Sequence, residues 1–126
     1  MKELLRELCT LDGVAGYEDE VREVIMQKVA PYAAEMTVDP LGNLIVFKKG
    51  AKERKRPVVL CAHMDEVGFL VRDITPDGMI RLATVGGIDP RVLVGRRMKV
   101  GPKKVPGVIS IKAIHLTTAE ERKSPP

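Results

Sequence analysis

The N-terminal part of the chain carries apolar side chains at helical spacing. The first group is Leu4, Leu5, Leu8 and Leu11, and the second is Val21, Val24, Ile25 and Val29. Because residues three and four apart share one face of a helix, each group predicts a short amphipathic helix. The Asp12-Gly13 pair ends the first helix, and Pro31 lies near the end of the second.

From Glu35 onward the pattern changes to short β-branched runs separated by Gly and Pro. Such runs predict strands, here at Thr37–Asp39, Asn43–Lys48 and Pro57–Ala62. The last run has no polar alternation, so we expect an interior strand covered on both faces. The two cysteines, Cys9 and Cys61, have apolar neighbours and are predicted to be buried free thiols in a reducing compartment.

Beyond Val67 the chain consists of strand-like segments bounded by Gly, Pro or Asp. They are Val67–Ile74, Met79–Thr84, Arg97–Val100 and Gly107–Ile111, and Thr75-Pro76-Asp77-Gly78 is a turn signal between the first two. Several short strands without a long helix predict a small barrel-like lobe. We therefore expect an α/β segment over 1–66, an all-β barrel-like lobe over 67–116, and a polar connector or frayed tail over 117–126. The chain is α+β overall.

Composition narrows the class of protein. The 126 residues are 44% hydrophobic and 30% charged, which is typical of a soluble globular chain. Only four aromatic residues are present, so there are few rings for stacking sugars or bases. No apolar run approaches the roughly 20 residues that a membrane helix requires, and no signal peptide is visible. The predicted location is cytoplasmic, without membrane contact.

Two features of the sequence suggest binding functions that involve no catalysis. Six of the nine residues from Lys48 to Arg56 are basic, although the run lacks interleaved aromatic residues, so a solvated turn is favoured over nucleic-acid binding. Asp89-Pro90 and the nearby glycines at 86, 87 and 95 could shape a sheet edge that accepts a peptide. Ordinary turns are the favoured interpretation, and a non-catalytic assembly or peptide-interaction module remains the alternative.

The segment from Cys61 to Gly68 carries the candidate chemistry. It follows an apolar strand, and the carboxyl end of an interior strand is where α/β active sites form. His63 and Asp65 are two residues apart, so in an extended chain they point to the same side. His63 is a candidate metal ligand, and Asp65 a carboxylate that holds its other ring nitrogen. A structural, hydrogen-bonded histidine is the alternative. Glu66 is expected to face the other way, and His115 is interpreted as structural.

Four stretches resemble the N-terminal portion of the glutamyl (deblocking) aminopeptidase and cellulase M family of dinuclear-metal peptidases. They are residues 11–18, 39–44 and 62–69, and the pair 85–88 and 93–96. The resemblance implies that His63 is a metal ligand and that Asp65 supports it. It also implies two divalent metal ions, zinc or cobalt, and hydrolysis of N-terminal residues from peptides. The lobe from Val67 would take part in subunit contacts within a homo-oligomer, commonly a dodecamer.

The resemblance also implies what this chain lacks. The other metal ligands and the general base of the family lie further along a chain roughly three times as long. We therefore expect at most one weakly bound metal, no catalysis by the chain alone, and self-association through an unpaired apolar strand. A cellulase activity, which the endoglucanase label of some relatives suggests, is disfavoured because it requires opposed carboxylates and usually aromatic sugar platforms.

Overall fold

A computed structural model describes residues 1–52, 56–112, 115 and 117–120 of the chain. The chain divides into two compact units, Met1–Gly86 and Gly87–Pro126. Both units are built from short helices and two-stranded antiparallel sheets. The architecture therefore agrees with a partial α/β fold, while a closed barrel is not seen among the described strands.

The two predicted helices are confirmed in the first unit. Helix α1 spans Lys2–Leu8, and helix α2 spans Asp19–Val29 and continues as a single 3-10 turn over Ala30–Tyr32. Asp19 and Glu20 occupy the first turn of α2, where carboxylates are favoured by the exposed N–H groups. The helix directs Val21 inward, and this is the one buried hydrophobic residue in the described part of the chain.

The first hairpin follows α2. Strand β1, Glu35–Val38, pairs with β2, Leu44–Phe47, in antiparallel register. The connecting turn is organised by Asp39, whose carboxylate accepts hydrogen bonds from the Asn43 side chain and from the backbone N–H groups of Leu41 and Asn43. The side-chain bond from Asn43, followed by the backbone bond, lowers the pKa of Asp39 below its ordinary value of 3.8.

The second hairpin closes the first unit. Strand β3, Gly68–Ile74, pairs with β4, Ile80–Val85, with a register shift between Val71 and Asp73. Thr75 to Gly78 form the predicted turn, and the Thr75 side chain both accepts from and donates to the Met79 backbone. The sequence prediction of this hairpin is confirmed.

The second unit contains a 3-10 turn, Pro90–Val92, and a hairpin of β5, Arg97–Val100, with β6, Val105–Val108. Asp89 begins the 3-10 turn by accepting from the backbone N–H of Arg91. The guanidinium of Arg91 also donates to the Asp89 carboxylate at 2.6 Å, which lowers the pKa of Asp89 and raises that of Arg91. Strand β6 ends at Val108, so the predicted strand at Gly107–Ile111 begins earlier and is shorter than expected.

Two sequence predictions are wrong. Pro57–Ala62 forms no strand, and Val58, Val59 and Leu60 are 77%, 74% and 93% exposed. Cys9 and Cys61 are both exposed rather than buried. The physical reason at Cys61 is that a β-strand needs a hydrogen-bonded neighbour, and within the described residues this segment has none. Residues 53–55 of the basic run, residues 113, 114 and 116 and residues 121–126 lie outside the described part.

The chain leaves much apolar surface in contact with water. Large side chains on both faces of β2 and β3 are exposed, including Ile45, Phe47 and Val71. This much exposed apolar surface is typical of a surface that another protein segment covers.

Among the described residues, no helix is long and apolar enough to cross a membrane.

Candidate metal site

A cavity of about 200 Å³ lies at the segment that carries the candidate chemistry. Three parts of the first unit line it: Glu18 at the start of α2, the turn residues Leu41–Asn43, and Ala62–Asp65. The structure therefore brings the His63 segment together with two of the stretches on which the family resemblance depends. Leu41 is 87% exposed and lies on the wall of this cavity.

His63 and Asp65 are in contact through one ring nitrogen. The Nδ1 atom of His63 lies 3.0 Å from Asp65 Oδ1 and 3.1 Å from the backbone oxygen of Asp65. The side chain of His63 is 84% exposed, and that of Asp65 is 46% exposed. Asp65 thus turns back onto the imidazole, as a carboxylate two residues away is expected to do.

This contact determines which ring nitrogen is available to a ligand. A backbone carbonyl oxygen only accepts hydrogen bonds, so Nδ1 must carry the proton that it shares with Asp65. In the neutral ring the lone pair then lies on Nε2. Both contacts found for His63 among the described residues involve Nδ1, so Nε2 keeps its lone pair for a metal ion. A carboxylate on the far nitrogen is also the usual arrangement around metal-ligating histidines.

The segment after His63 is fixed by the loop before α2. The backbone N–H of Glu66 donates to the Gly13 carbonyl at 2.7 Å, and Val14 and Glu66 form an isolated parallel bridge. The contact is close: a Cβ on Gly68 would lie 2.4 Å from Val14 Cγ2, and one on Gly13 would lie 2.8 Å from Val21 Cγ2. Only glycine fits at these two positions without displacing a neighbour.

Glu66 does not line the cavity. Its Oε1 atom lies 3.4 Å from the backbone N–H of Gly13 and accepts from it. The expectation that Glu66 faces away from His63 therefore agrees with the position of its carboxylate. Sequence reasoning missed the Gly13–Glu66 contact, because 53 residues separate its members and no spacing rule connects them.

The turn that forms another wall of the cavity is connected to α2. Arg22 Nη1 donates to the Gly42 carbonyl at 3.2 Å, and its Nη2 atom pairs with Asp19. The Arg22 side chain is only 16% exposed. Since the Asp39 carboxylate stabilises the same turn internally, this wall is held from two directions.

Other groups of side chains are weaker candidates for a metal site. In the described ranges, no group of three or more His, Cys, Asp or Glu residues is placed to hold a metal ion. His115 is exposed, but its neighbours at 113, 114 and 116 are not described. A larger concave surface of about 570 Å³ lies on the second hairpin at Arg72, Asp73, Arg81 and Leu82. Its one potential metal ligand, Asp73, lies 3.7 Å from Arg81 and forms an ion pair with it.

The short helices and small antiparallel sheets are those of a partial α/β domain, with the His63–Asp65 pair beside a cavity. Residues 42–126 match the family model described as M42 glutamyl aminopeptidase, and the chain belongs to that family. The FrvX protein of Escherichia coli (strain K12) is 37% identical over 126 residues, which cover 98% of this chain and 35% of FrvX. The chain thus spans about a third of the length of this curated relative.

Solved structures support the same assignment. An endoglucanase from Thermotoga maritima superposes with a TM-score of 0.79 at 41% identity, covering 86% of this chain and 34% of that chain. The TET1 peptidase of Pyrococcus horikoshii, which can assemble into a tetrahedron or a large octahedral shell, gives a TM-score of 0.77 at 39% identity. That match covers 98% of this chain and 37% of the TET1 chain.

Proposed function

We propose that this chain provides His63 as a metal ligand, and Asp65 as the carboxylate that orients it, to a dinuclear-metal aminopeptidase. The supporting observation is the contact between Nδ1 of His63 and two oxygen atoms of Asp65, which leaves Nε2 available on a residue that lines the cavity. Membership of the M42 glutamyl aminopeptidase family supports the reaction class. The complete protein would hydrolyse N-terminal residues from peptide substrates.

The donor set fits one position of a metal site. Neutral imidazole binds zinc and cobalt well, and the proton on Nδ1 fixes the tautomer that such binding requires. When bound, a pair of divalent ions polarises the scissile carbonyl and supplies hydroxide at neutral pH. In the described part of the chain, His63 is the candidate ligand, so we expect one weakly bound metal at most and no catalysis by this chain alone.

The chain's own residues have separable tasks in this proposal. Asp65 keeps the proton on Nδ1 and limits rotation of the imidazole ring. Leu41 to Asn43 and Glu18 shape the cavity beside His63. None of these residues is assigned as the general base, and Glu66 is not a candidate because its carboxylate faces Gly13.

We further propose that residues 1–66 form part of the peptidase domain and that residues 67–116 form an inserted lobe with a barrel-like sheet. Residues 117–126 would connect this lobe to the remainder of the peptidase domain. The lobe would serve subunit contacts and substrate access in a cytoplasmic homo-oligomer, with a dodecamer as the expected form. The exposed apolar side chains of β3 and the shells formed by the TET1 peptidase support assembly.

Co²⁺ binding, measured in variants of each histidine, tests the assignment of His63 as a metal ligand. The sequence contains only His63 and His115, so the imidazole region of a proton NMR spectrum contains signals from two rings. We expect Co²⁺ to shift and broaden the His63 signals in a saturable manner. His63→Ala should weaken Co²⁺ affinity by at least about tenfold, because it removes the ligand itself. His115→Ala is the matched control and should leave the affinity unchanged.

An unchanged Co²⁺ affinity in His63→Ala would contradict the ligand assignment. Saturable binding that depends on His115 instead would contradict it equally. Asp65→Asn tests the orienting role, since the amide can accept from Nδ1 through its oxygen but carries no charge. We expect its Co²⁺ affinity to fall between those of the original chain and His63→Ala.

A further inference from the structure

Glu66 follows the candidate metal site directly, yet its carboxylate points away from the cavity. Its backbone N–H donates to the Gly13 carbonyl at 2.7 Å, and its Oε1 accepts from the Gly13 N–H at 3.4 Å. Both polar groups of the Gly13 backbone are therefore paired with the same residue. Gly13 itself is buried, so an unpaired N–H there would cost free energy.

The loop that Glu66 contacts is anchored in the buried part of the first unit. Gly13 packs against Val21, the buried residue of α2, and its Cα hydrogens face the Met64 carbonyl, because a Cβ there would lie 3.1 Å from that oxygen. Val14 packs against Gly68 on the other side of Glu66. The contacts from 64 to 68 thus connect the cavity segment to α2 through one loop.

No comparable support is found on the other side of His63 among the described residues. Residues 57–62 form no strand, and Val58 to Leu60 are largely exposed. The position of the His63–Asp65 turn therefore depends on the contacts made after it. Glu66 is the residue nearest to the turn that makes both a backbone and a side-chain contact with a buried partner.

We infer that Glu66 is a positioning residue for the metal site. It fastens the Gly13 loop to the turn that carries His63 and Asp65, and so holds the imidazole in the orientation that a metal ion requires. This inference depends on the proposed role of His63 as a ligand. It assigns Glu66 neither a metal contact nor a part in proton transfer.

Two conservative variants separate the hydrogen bond from the charge. Glu66→Gln keeps an oxygen at the same distance from the backbone but removes the negative charge. Glu66→Asp keeps the charge but is one methylene shorter, so its carboxylate no longer reaches the Gly13 N–H. Calorimetric titration of the 126-residue chain with Co²⁺ should give an affinity near the original value for Glu66→Gln. For Glu66→Asp the affinity should be about fivefold weaker, as loss of one hydrogen bond predicts.

Hydrogen exchange at the Gly13 amide provides a second measurement that does not involve the metal. The Gly13 amide should exchange several-fold faster in Glu66→Asp than in the original chain or in Glu66→Gln. Equal Co²⁺ affinities for Glu66→Asp and the original chain would overturn the inference. A loss in Glu66→Gln as large as that in Glu66→Asp would also overturn it, because charge would then control the affinity.

The His63→Ala variant keeps the two proposals distinguishable. If His63→Ala abolishes Co²⁺ binding and Glu66→Asp leaves it intact, the ligand assignment stands and the positioning role fails. If Co²⁺ binding is independent of His63, the ligand assignment fails, and with it the positioning role that rests on it.

Discussion

The backbone on the two sides of His63 is held in different ways. Before it, Val58 to Ala62 is the most apolar run of the segment but makes no strand within the described residues. After it, Met64 to Gly68 is held by Gly13 and Val14 through a bridge, two hydrogen bonds and close packing at Gly68. The less apolar side is the better supported one.

This difference shows that apolar character and local order are separate properties. A strand with apolar residues on both faces gains stability only when a neighbour pairs with its backbone and other elements cover its faces. The segment after His63 needs no such sheet, because Gly13 and Val14 supply its partners. Within the described residues, 58–62 have no such pairing partner.

In the segment after His63, replacing Gly68 should lower the free energy of unfolding, and this is the largest effect that we expect. In Gly68→Ala the new Cβ would lie 2.4 Å from Val14 Cγ2, and Val14 is stiff about its χ1 bond. We expect the free energy of unfolding to fall by about 2 kcal/mol, as overpacking of a close contact predicts. Urea unfolding followed by circular dichroism measures this change.

Two controls sharpen the Gly68 prediction. Gly87→Ala places a Cβ where nothing lies within 4 Å, so it should cause no loss. Val14→Ala shortens the side chain that Gly68→Ala meets, and the double variant should recover part of the loss in a double-mutant cycle. Strictly additive effects of the two substitutions would show that Val14 and Gly68 are not in contact.

The two sides of His63 also differ in how far local sequence pattern determines their structure. Helical spacing and turn residues predicted α1, α2 and the second hairpin because these depend on neighbours close in sequence. The His63–Asp65 pair was predicted for the same reason, since the two residues are separated by one position. The interior strand at Pro57–Ala62 and the burial of Cys61 depend on partners that local pattern cannot supply. The Gly13–Glu66 contact was missed because it joins residues 53 positions apart.

In the segment before His63, removing an apolar side chain should change self-association of the chain rather than its free energy of unfolding. Leu60 is 93% exposed, so Leu60→Ser should alter the free energy of unfolding by less than about 0.5 kcal/mol. Because exposed apolar segments with free backbone groups favour pairing between chains, we expect the variant to self-associate less. Light scattering as a function of concentration measures this.

Leu41→Ser is the matched control for Leu60→Ser, since Leu41 is 87% exposed but its backbone N–H is hydrogen-bonded to the Asp39 carboxylate. It should leave the concentration dependence unchanged. Equal reductions in the two variants would mean that general surface hydrophobicity, and not residues 58–62, drives association. A monomeric original chain at high concentration would contradict the association prediction itself.

The smallest expected effect concerns the turn at Asp39, a wall of the cavity whose internal hydrogen bonds are accepted by the Asp39 carboxylate. The folded chain lowers the pKa of Asp39, first through the Asn43 side chain. Its carboxylate therefore stabilises the fold fully above the ordinary pKa of 3.8, and this contribution is lost as the pH falls through the lower folded-state value. Asp39→Asn should be less stable than the original chain near neutral pH, and the difference should shrink under acidic conditions.

Thermal unfolding across a pH series, together with an NMR titration of the Asp39 carboxyl group, tests this. Asn43→Ala removes the leading cause of the shift and should move the pKa of Asp39 back toward 3.8. A stability difference that stays constant between neutral and acidic pH would show that Asp39 acts through its shape alone.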